Sequence, residues 1–313
     1  MPASPDVTVV VRLDRVRQNI ADVRRRIGGA ELHAVVKADA YGLGARAVAR
    51  TLAPLVDGFV VFRAAEAVDA GLGEFHKPVL ALGPPEPEVC LAHGIRPAVW
   101  TVEQARASRA ARPALSVDTG MQRFGCPPDE VDAALDAGDC REAFTHATRV
   151  ECVRRLVQLL GGRGLRLHAA GSKLLDEPEA RLDLVRPGLA LYRGATTVQA
   201  RLVGVHDGRG PAGYTGFVAP RHGVILAGYS NGLRPGPCLV GRAKRRIVEV
   251  GMQSAFVEVG PGDRVGDLVT LLGSFDSGAG GAIEEEAIAS AWGCTPHEAM
   301  FHLARSGLRR YAE

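Results

Sequence analysis

The chain is expected to be an α/β protein, with a closed (β/α)8, TIM-like barrel over residues 9–195 and a smaller, mostly antiparallel β domain with a helical tail over 196–313. Two observations carry this expectation. Through the first two thirds of the chain, short β-rich runs alternate with helical patterns, which implies a parallel sheet with helical crossovers. After Gly194 the character changes to short alternating runs separated by Gly and Pro, the mark of antiparallel strands.

The first β run, at residues 7–13, leads into a helix in which Leu13, Val16, Ile20, Val23 and Ile27 recur at spacings of 3, 4, 3 and 4. Those spacings make one apolar stripe, and Gly28-Gly29 ends it. Further strands are expected at 32–36, 58–62, 78–82, 97–100, 115–118, 144–148 and 165–169, and helical spacing follows most of them, as at 44–55 and 64–70. About eight such units in roughly 190 residues suit a closed barrel better than an open, doubly wound sheet. The absence of a G-x-G-x-x-G after the first run also counts against the open sheet. In the second region, strands are expected at 223–228, 246–250, 255–259 and 268–272. The tail at 283–311 has a helical pattern, with Thr295 placed as an N-cap before Pro296 and Glu298.

Composition narrows the function classes. The 313 residues include 38 basic and 35 acidic side chains, a near balance that gives no reason to expect a nucleic-acid or membrane partner. No apolar stretch approaches the roughly 20 residues that span a bilayer. Met1 to Val7 lack the basic and apolar segments of a signal peptide, so a cytoplasmic location is expected. Cys90, Cys126, Cys140, Cys152, Cys238 and Cys294 are scattered without a CxxC pair, which predicts neither a disulfide framework nor a metal site.

The strongest local signal is Ala34-Val-Val-Lys37-Ala-Asp-Ala-Tyr41-Gly-Leu-Gly44. A lysine directly after an apolar strand falls at the C-terminal rim of a barrel, where active-site loops gather. Such a lysine needs a partner or a covalent task, because an isolated ammonium is costly to bury. The turn through Tyr41 and the two glycines could present the next helix's N–H groups to a phosphate. A surface lysine beside a glycine turn would show the same local pattern.

This segment resembles the lysine motif of the alanine racemase family, pyridoxal 5'-phosphate enzymes with an N-terminal (β/α)8 barrel and a C-terminal β domain. The resemblance continues through Ser116-Val-Asp-Thr-Gly-Met-Gln-Arg123-Phe-Gly, Phe144-Thr-His146-Ala-Thr, His168-Ala-Ala-Gly-Ser172 and Val185-Arg186-Pro-Gly188-Leu189-Ala-Leu-Tyr192. Gly213-Tyr214, Ala227-Gly-Tyr229 and Gly251-Met252 follow in the family's order.

The resemblance implies a racemase of a small amino acid, converting L-alanine to D-alanine, a peptidoglycan precursor. Lys37 would carry the cofactor and, once freed, act as a base on one face. Tyr214 would act on the opposite face, reaching in from the other subunit of a homodimer, with His146 and Arg123 favouring its phenolate. Arg186 would donate to the pyridine nitrogen, with His168 buttressing it and Tyr229 extending the network. A carboxylate in that place would suit an amino-acid decarboxylase on a similar barrel, which Arg186 argues against. Tyr41, Ser172 and the backbone N–H groups of Gly188 and Leu189 would hold the phosphate. Arg123 and Met252 would face the substrate.

Departures from the family pattern leave alternatives open. Ser116 stands where the family often has a lysine modified to a carbamate, so Arg123 must be oriented in another way. Gly171 replaces an asparagine, Gln253 an aspartate and Leu43 a histidine. The late tyrosine that contacts phosphate has no convincing match, with Arg305 and Tyr311 near its place. A racemase of serine or a larger amino acid, or a weakly catalytic pyridoxal-phosphate-binding protein, would fit these losses.

Overall fold

A computed structural model of the chain describes residues 6–275 and 281–313. The expectation for Met1 to Val7, and the end of the alternating region before Gly281, therefore lie partly outside the described residues. The chain divides into two compact units, one of Arg17–Ala40 with Gly44–Leu191, the other of the segment up to Val16, Tyr41–Leu43 and Tyr192–Glu313.

The first unit is a closed barrel of eight parallel strands. They are Glu31–Val35, Gly58–Val61, Val79–Ala81, Arg96–Val99, Ala114–Ser116, Glu142–Phe144, Arg166–His168 and Leu184–Val185. Closure comes from the first strand pairing with the last, Leu32 beside Val185. Most of these strands are buried at every position, as at Gly58–Val61, which is why they read as unbroken apolar runs. The interior also takes polar groups, with His33, Glu142 and His168 buried on barrel strands.

The barrel's strand list differs from the expectation at both ends. Val7–Arg12, expected to open the barrel, belongs to the second unit's sheet, where it pairs antiparallel with Thr196–Asp207 and parallel with Leu308–Ala312. Its Val7, Val9 and Val11 point inward and alternate with partly exposed Thr8, Val10 and Arg12. The apolar Val10 on the outward face hides this alternation in the sequence. The eighth barrel strand is Leu184–Val185, whose two residues are too few to show a period. The helix Leu13–Ile27 lies where its stripe predicts, with all five apolar positions buried.

The second unit is built on a nine-stranded sheet, antiparallel except between Val7–Arg12 and Leu308–Ala312. Its long strand Thr196–Asp207 pairs with three others, and Val198, Leu202, Ile225, Leu239, Ile247, Val257 and Leu271 form an aliphatic core. The tail is not helical throughout. Helices Glu285–Trp292 and Pro296–Ala304 are followed by the edge strand Leu308–Ala312. Thr295 does cap the second helix, its Oγ1 accepting from the Glu298 N–H at 3.2 Å.

Candidate active site

Lys37 sits two residues beyond the first barrel strand, half-buried, at the strand's C-terminal end. The chain after it is unusual. Ala38, Asp39, Ala40 and Tyr41 all have left-handed backbone, with φ of 52, 56, 52 and 59°. Each such residue costs about 1–2 kcal/mol relative to the right-handed form, so a run of them persists only where other contacts impose it. Those contacts bracket the turn. The Ala38 N–H donates to Glu66 Oε1 at 3.0 Å and the Ala40 N–H to the Val36 carbonyl at 2.8 Å. The Ala45 N–H donates to Asp39 Oδ1 at 2.6 Å, so this N–H, expected to face a phosphate, is already engaged. Glu66 was not singled out by the sequence. Its other oxygen accepts from the Phe62 and Arg63 N–H groups at 2.8 and 3.2 Å, tying the second strand's exit to the lysine turn.

Basic groups gather around Lys37. Burial first, then the Arg123 charge, lower the pKa of its amine; Glu66 opposes this and Arg186 adds to it. His146, two residues past the sixth strand, is recessed in the barrel mouth yet open to solvent. Its pKa is held down to about 4 by desolvation and by Arg186, Arg123 and Lys37. A mouth with three cations and one opposing carboxylate is built to receive an anion.

Arg186 follows the eighth strand directly and is buried. Its Nη2 donates to the Thr145 carbonyl at 2.8 Å, and its guanidinium lies 4.7 Å from the centre of the Phe144 ring. The His168 ring stacks on Phe144 at 5.0 Å, and His168 Nε2 meets Glu142 Oε1 at 3.0 Å. Arg96 and Arg166 reach the other oxygen of Glu142. Burial raises the Glu142 carboxyl, but the His168 bond and the two arginines outweigh it and hold it at about 2. Burial and Arg186 push His168 down to about 3, so a neutral imidazole faces an ionised carboxylate. Among the described residues no hydrogen bond joins His168 to Arg186. His168 Nδ1 and Arg186 Nε are both buried without a hydrogen-bond partner, and the Phe144 ring provides the link between the two residues. An orphaned buried donor beside a cationic cluster fits a group that arrives with acceptors.

Ser172 and Gly188 are brought together. The Ser172 hydroxyl accepts from the Gly188 N–H at 3.0 Å and from the Ala190 N–H at 3.1 Å. Gly188 is therefore engaged by Ser172, Ala190 joins the pair unforeseen, and Leu189 lies between them.

In the second unit, Tyr41 packs its ring between Tyr192 at 5.3 Å and His297 at 5.9 Å. Burial pushes its phenol up to about 12, so it remains a neutral donor. His297, in the first turn after the Thr295 cap, was passed over in the sequence, although the cap alone places it at a helix start. The two tail candidates both lie against the turn that follows Tyr41. Arg305 covers the Phe301 ring and packs beside Gly42, while the Tyr311 hydroxyl donates to the Leu43 carbonyl at 3.1 Å. Tyr214, Tyr229 and Met252 gather around Gly251. The Gly251 carbonyl accepts from the Tyr229 N–H, and a Cβ on Gly251 would touch the Tyr214 ring. Glu249 anchors this loop by accepting from the Tyr214 and Thr215 N–H groups, each at 2.7 Å. The Tyr214 side chain itself is 91% exposed.

The model of the alanine racemase N-terminal domain matches residues 11–196. The chain is 30% identical over 354 residues to the alanine racemase of Aeromonas hydrophila, covering 95% of this chain and 96% of that protein. Among solved structures, the biosynthetic alanine racemase from Pseudomonas aeruginosa superposes with a TM-score of 0.88 at 25% identity, covering 98% and 99% of the two chains. The fold also matches, at a TM-score of 0.85 and 22% identity over 98% and 99% of the chains, an alanine racemase from Bartonella henselae with covalently bound pyridoxal phosphate. With more than half its length matched by the family's domain model and nearly all of it by a relative at this identity, the chain belongs to the alanine racemase family.

Proposed function

We propose that this protein is a pyridoxal-phosphate-dependent amino-acid racemase, an isomerase interconverting L- and D-alanine. The observation that carries this is Lys37 at the end of a barrel strand among Arg123, His146 and buried Arg186. The names of its relatives agree, and the Bartonella henselae neighbour is described with covalently bound pyridoxal phosphate.

The residues fit that group. Lys37 would hold it covalently, Tyr41 and Ser172 with the Gly188–Ala190 turn would hold its phosphate, and Arg186 would face its ring nitrogen. When bound, the cofactor supplies a conjugated ring that delocalises the negative charge left by removal of an α-proton. Lys37, with its lowered pKa, gives up its proton more readily than an exposed lysine, so more of it is the neutral amine that can act as a base. Arg186, at about 10 despite burial, stays protonated at neutral pH, so it donates a hydrogen bond without surrendering a proton. His146, neutral above about 4, can accept a hydrogen bond from a phenol. Tyr214 is the phenol we assign to the opposite face. Its exposure on a single chain suits delivery into a second copy's barrel, so we assign a homodimer with composite sites. Arg123 would bind the substrate carboxylate and Met252 would border the side-chain pocket. Among the described residues no helix is long and apolar enough to cross a membrane, and we place the enzyme in the cytoplasm.

Purified protein supplied with pyridoxal phosphate should show the cofactor's visible absorbance and interconvert both alanine enantiomers. Borohydride should abolish that absorbance and leave the label on the Lys37 peptide. A label on another lysine, or no turnover in either direction, would overturn the assignment.

A further inference from the structure

Ser116 ends the fifth barrel strand, and beyond it the chain makes an arch whose tip carries Arg123. The feet of the arch are closed by the Cys126 N–H donating to the Ser116 carbonyl at 2.7 Å and the Asp118 N–H to the Cys126 carbonyl at 2.9 Å. Asp118 Oδ1 accepts from the N–H groups of Gly120, Met121 and Gln122 at 2.7, 3.0 and 3.1 Å, holding the outward limb. The returning limb is held from inside by the buried Ser116 hydroxyl, which donates to the Phe124 carbonyl at 2.6 Å.

That bond falls one residue from Arg123. Gln122 and Phe124, on either side of it, both have left-handed backbone, at φ of 55 and 49°. Non-glycine residues hold such a conformation only where the surroundings impose it. The Phe124 ring packs on Trp100 and Phe62, and the Arg123 guanidinium lies 5.9 Å from the centre of that ring. Among the described residues no carboxylate pairs with Arg123. Its direction is thus set by backbone geometry and a ring face, and its charge is left uncompensated.

We propose that Ser116 is a positioning residue. Its hydroxyl, acting through the Phe124 carbonyl, aims Arg123 so that an unneutralised guanidinium receives the carboxylate of a small amino acid. The proposal rests on the racemase function, but its test reads carboxylate binding directly. Propionate, which is alanine without its amine, is the probe, titrated into cofactor-loaded protein by calorimetry and as an inhibitor.

In Ser116→Ala, the propionate Kd and the KM for L-alanine should rise together by about tenfold, with kcat and cofactor absorbance changing far less. Ser116→Thr, which keeps the hydroxyl, should restore both constants to within about twofold of the parent. Adding Ser116→Ala to Arg123→Gln should produce no further weakening, because the positioned group is already gone. The proposal is overturned if Ser116→Ala lowers Tm while propionate binding holds, or if its effect persists in full beside Arg123→Gln. A parent protein that binds propionate through Arg123 without racemising alanine would remove the proposed function and leave the positioning role standing.

Discussion

The barrel unit and the sheet unit handle their reactive side chains in opposite ways. The barrel buries charge, with Glu142, His168 and Arg186 each 5% exposed or less and joined through the Phe144 ring. The sheet unit keeps an aliphatic core and leaves Tyr214, Tyr229 and Met252 in solvent. Groups whose protonation depends on burial and on fixed neighbours must be built into a rigid interior. A phenol on a loop can be held in water until another surface covers it. The comparison predicts that changes in the sheet unit's exposed cluster alter turnover without altering stability, while changes in the buried barrel network alter stability first.

The largest effect expected is on turnover. Tyr214→Phe should lower racemisation by about 10²–10⁴-fold, the range for removing a positioned acid–base group. Its unfolding free energy should stay within about 0.5 kcal/mol of the parent, as for other exposed sites. Chiral chromatography with urea unfolding checks both halves, and a marked loss of stability would break the contrast between the units.

Next comes Glu142→Ala. With the carboxylate removed, Arg96, Arg166 and His168 lose their shared partner, and stability should fall by about 3–5 kcal/mol. A change below about 1 kcal/mol in urea titrations would show the buried network to be energetically idle.

Acid should weaken the barrel through the same residues. His168 titrates at about 3 when folded but at about 6.5 when unfolded, so the unfolded chain binds the proton first as pH falls. Its contribution is complete above about pH 6.5 and is lost progressively towards pH 3. Glu142, depressed to about 2, adds a loss in the same direction below about pH 4.5. Unfolding midpoints measured from pH 7 to 4 should fall, and His168→Gln should flatten the upper part of that slope. A midpoint that rises on acidification would contradict the sign.

The smallest effect is expected at Gly42. Its φ is +85°, and a Cβ there would lie 3.1–3.3 Å from Arg305, Ala304 and Phe301. Gly42→Ala should cost about 1–2 kcal/mol and loosen the Tyr41 turn, measurable as weaker cofactor retention on dialysis. Unchanged retention and stability would show that the turn tolerates a side chain.

The parts of this arrangement that the sequence made legible are those carried by local period or contiguous motif. The stripe Leu13 to Ile27, the Thr295 cap and most of the apolar barrel runs each lie within one segment and appear where expected, whereas the strand expected at 144–148 lies earlier, at Glu142–Phe144. The run at Val7–Arg12 reads as the first barrel strand because a helical stripe follows it directly, whereas its partners are Thr196–Asp207 and Leu308–Ala312. The Glu142 and Phe144 parts of the network around His168 and Arg186 were not legible, because the members come from two strands and the residue after a third and meet only on closure of the barrel. Apart from Asp39, the left-handed run at Ala38–Tyr41 is made of residues with little preference for that conformation, so it is imposed by Glu66, the Asp39 carboxylate and the surrounding fold. The role of Ser116 is not legible locally, because its partner, the Phe124 carbonyl, is eight residues away and meets it only through the arch.

The proposed division of labour, between a ready-made barrel and a phenol supplied by a second copy, is tested most directly by mixing two inactive variants. Lys37→Ala chains keep Tyr214, and Tyr214→Phe chains keep Lys37. Unfolded together and refolded as dimers, they should recover roughly a quarter of the parent's activity, because half of the dimers are mixed and each mixed dimer carries one intact site. No recovery above the separate variants, in mixtures shown to contain mixed dimers, would mean that lysine and tyrosine do not meet across two chains.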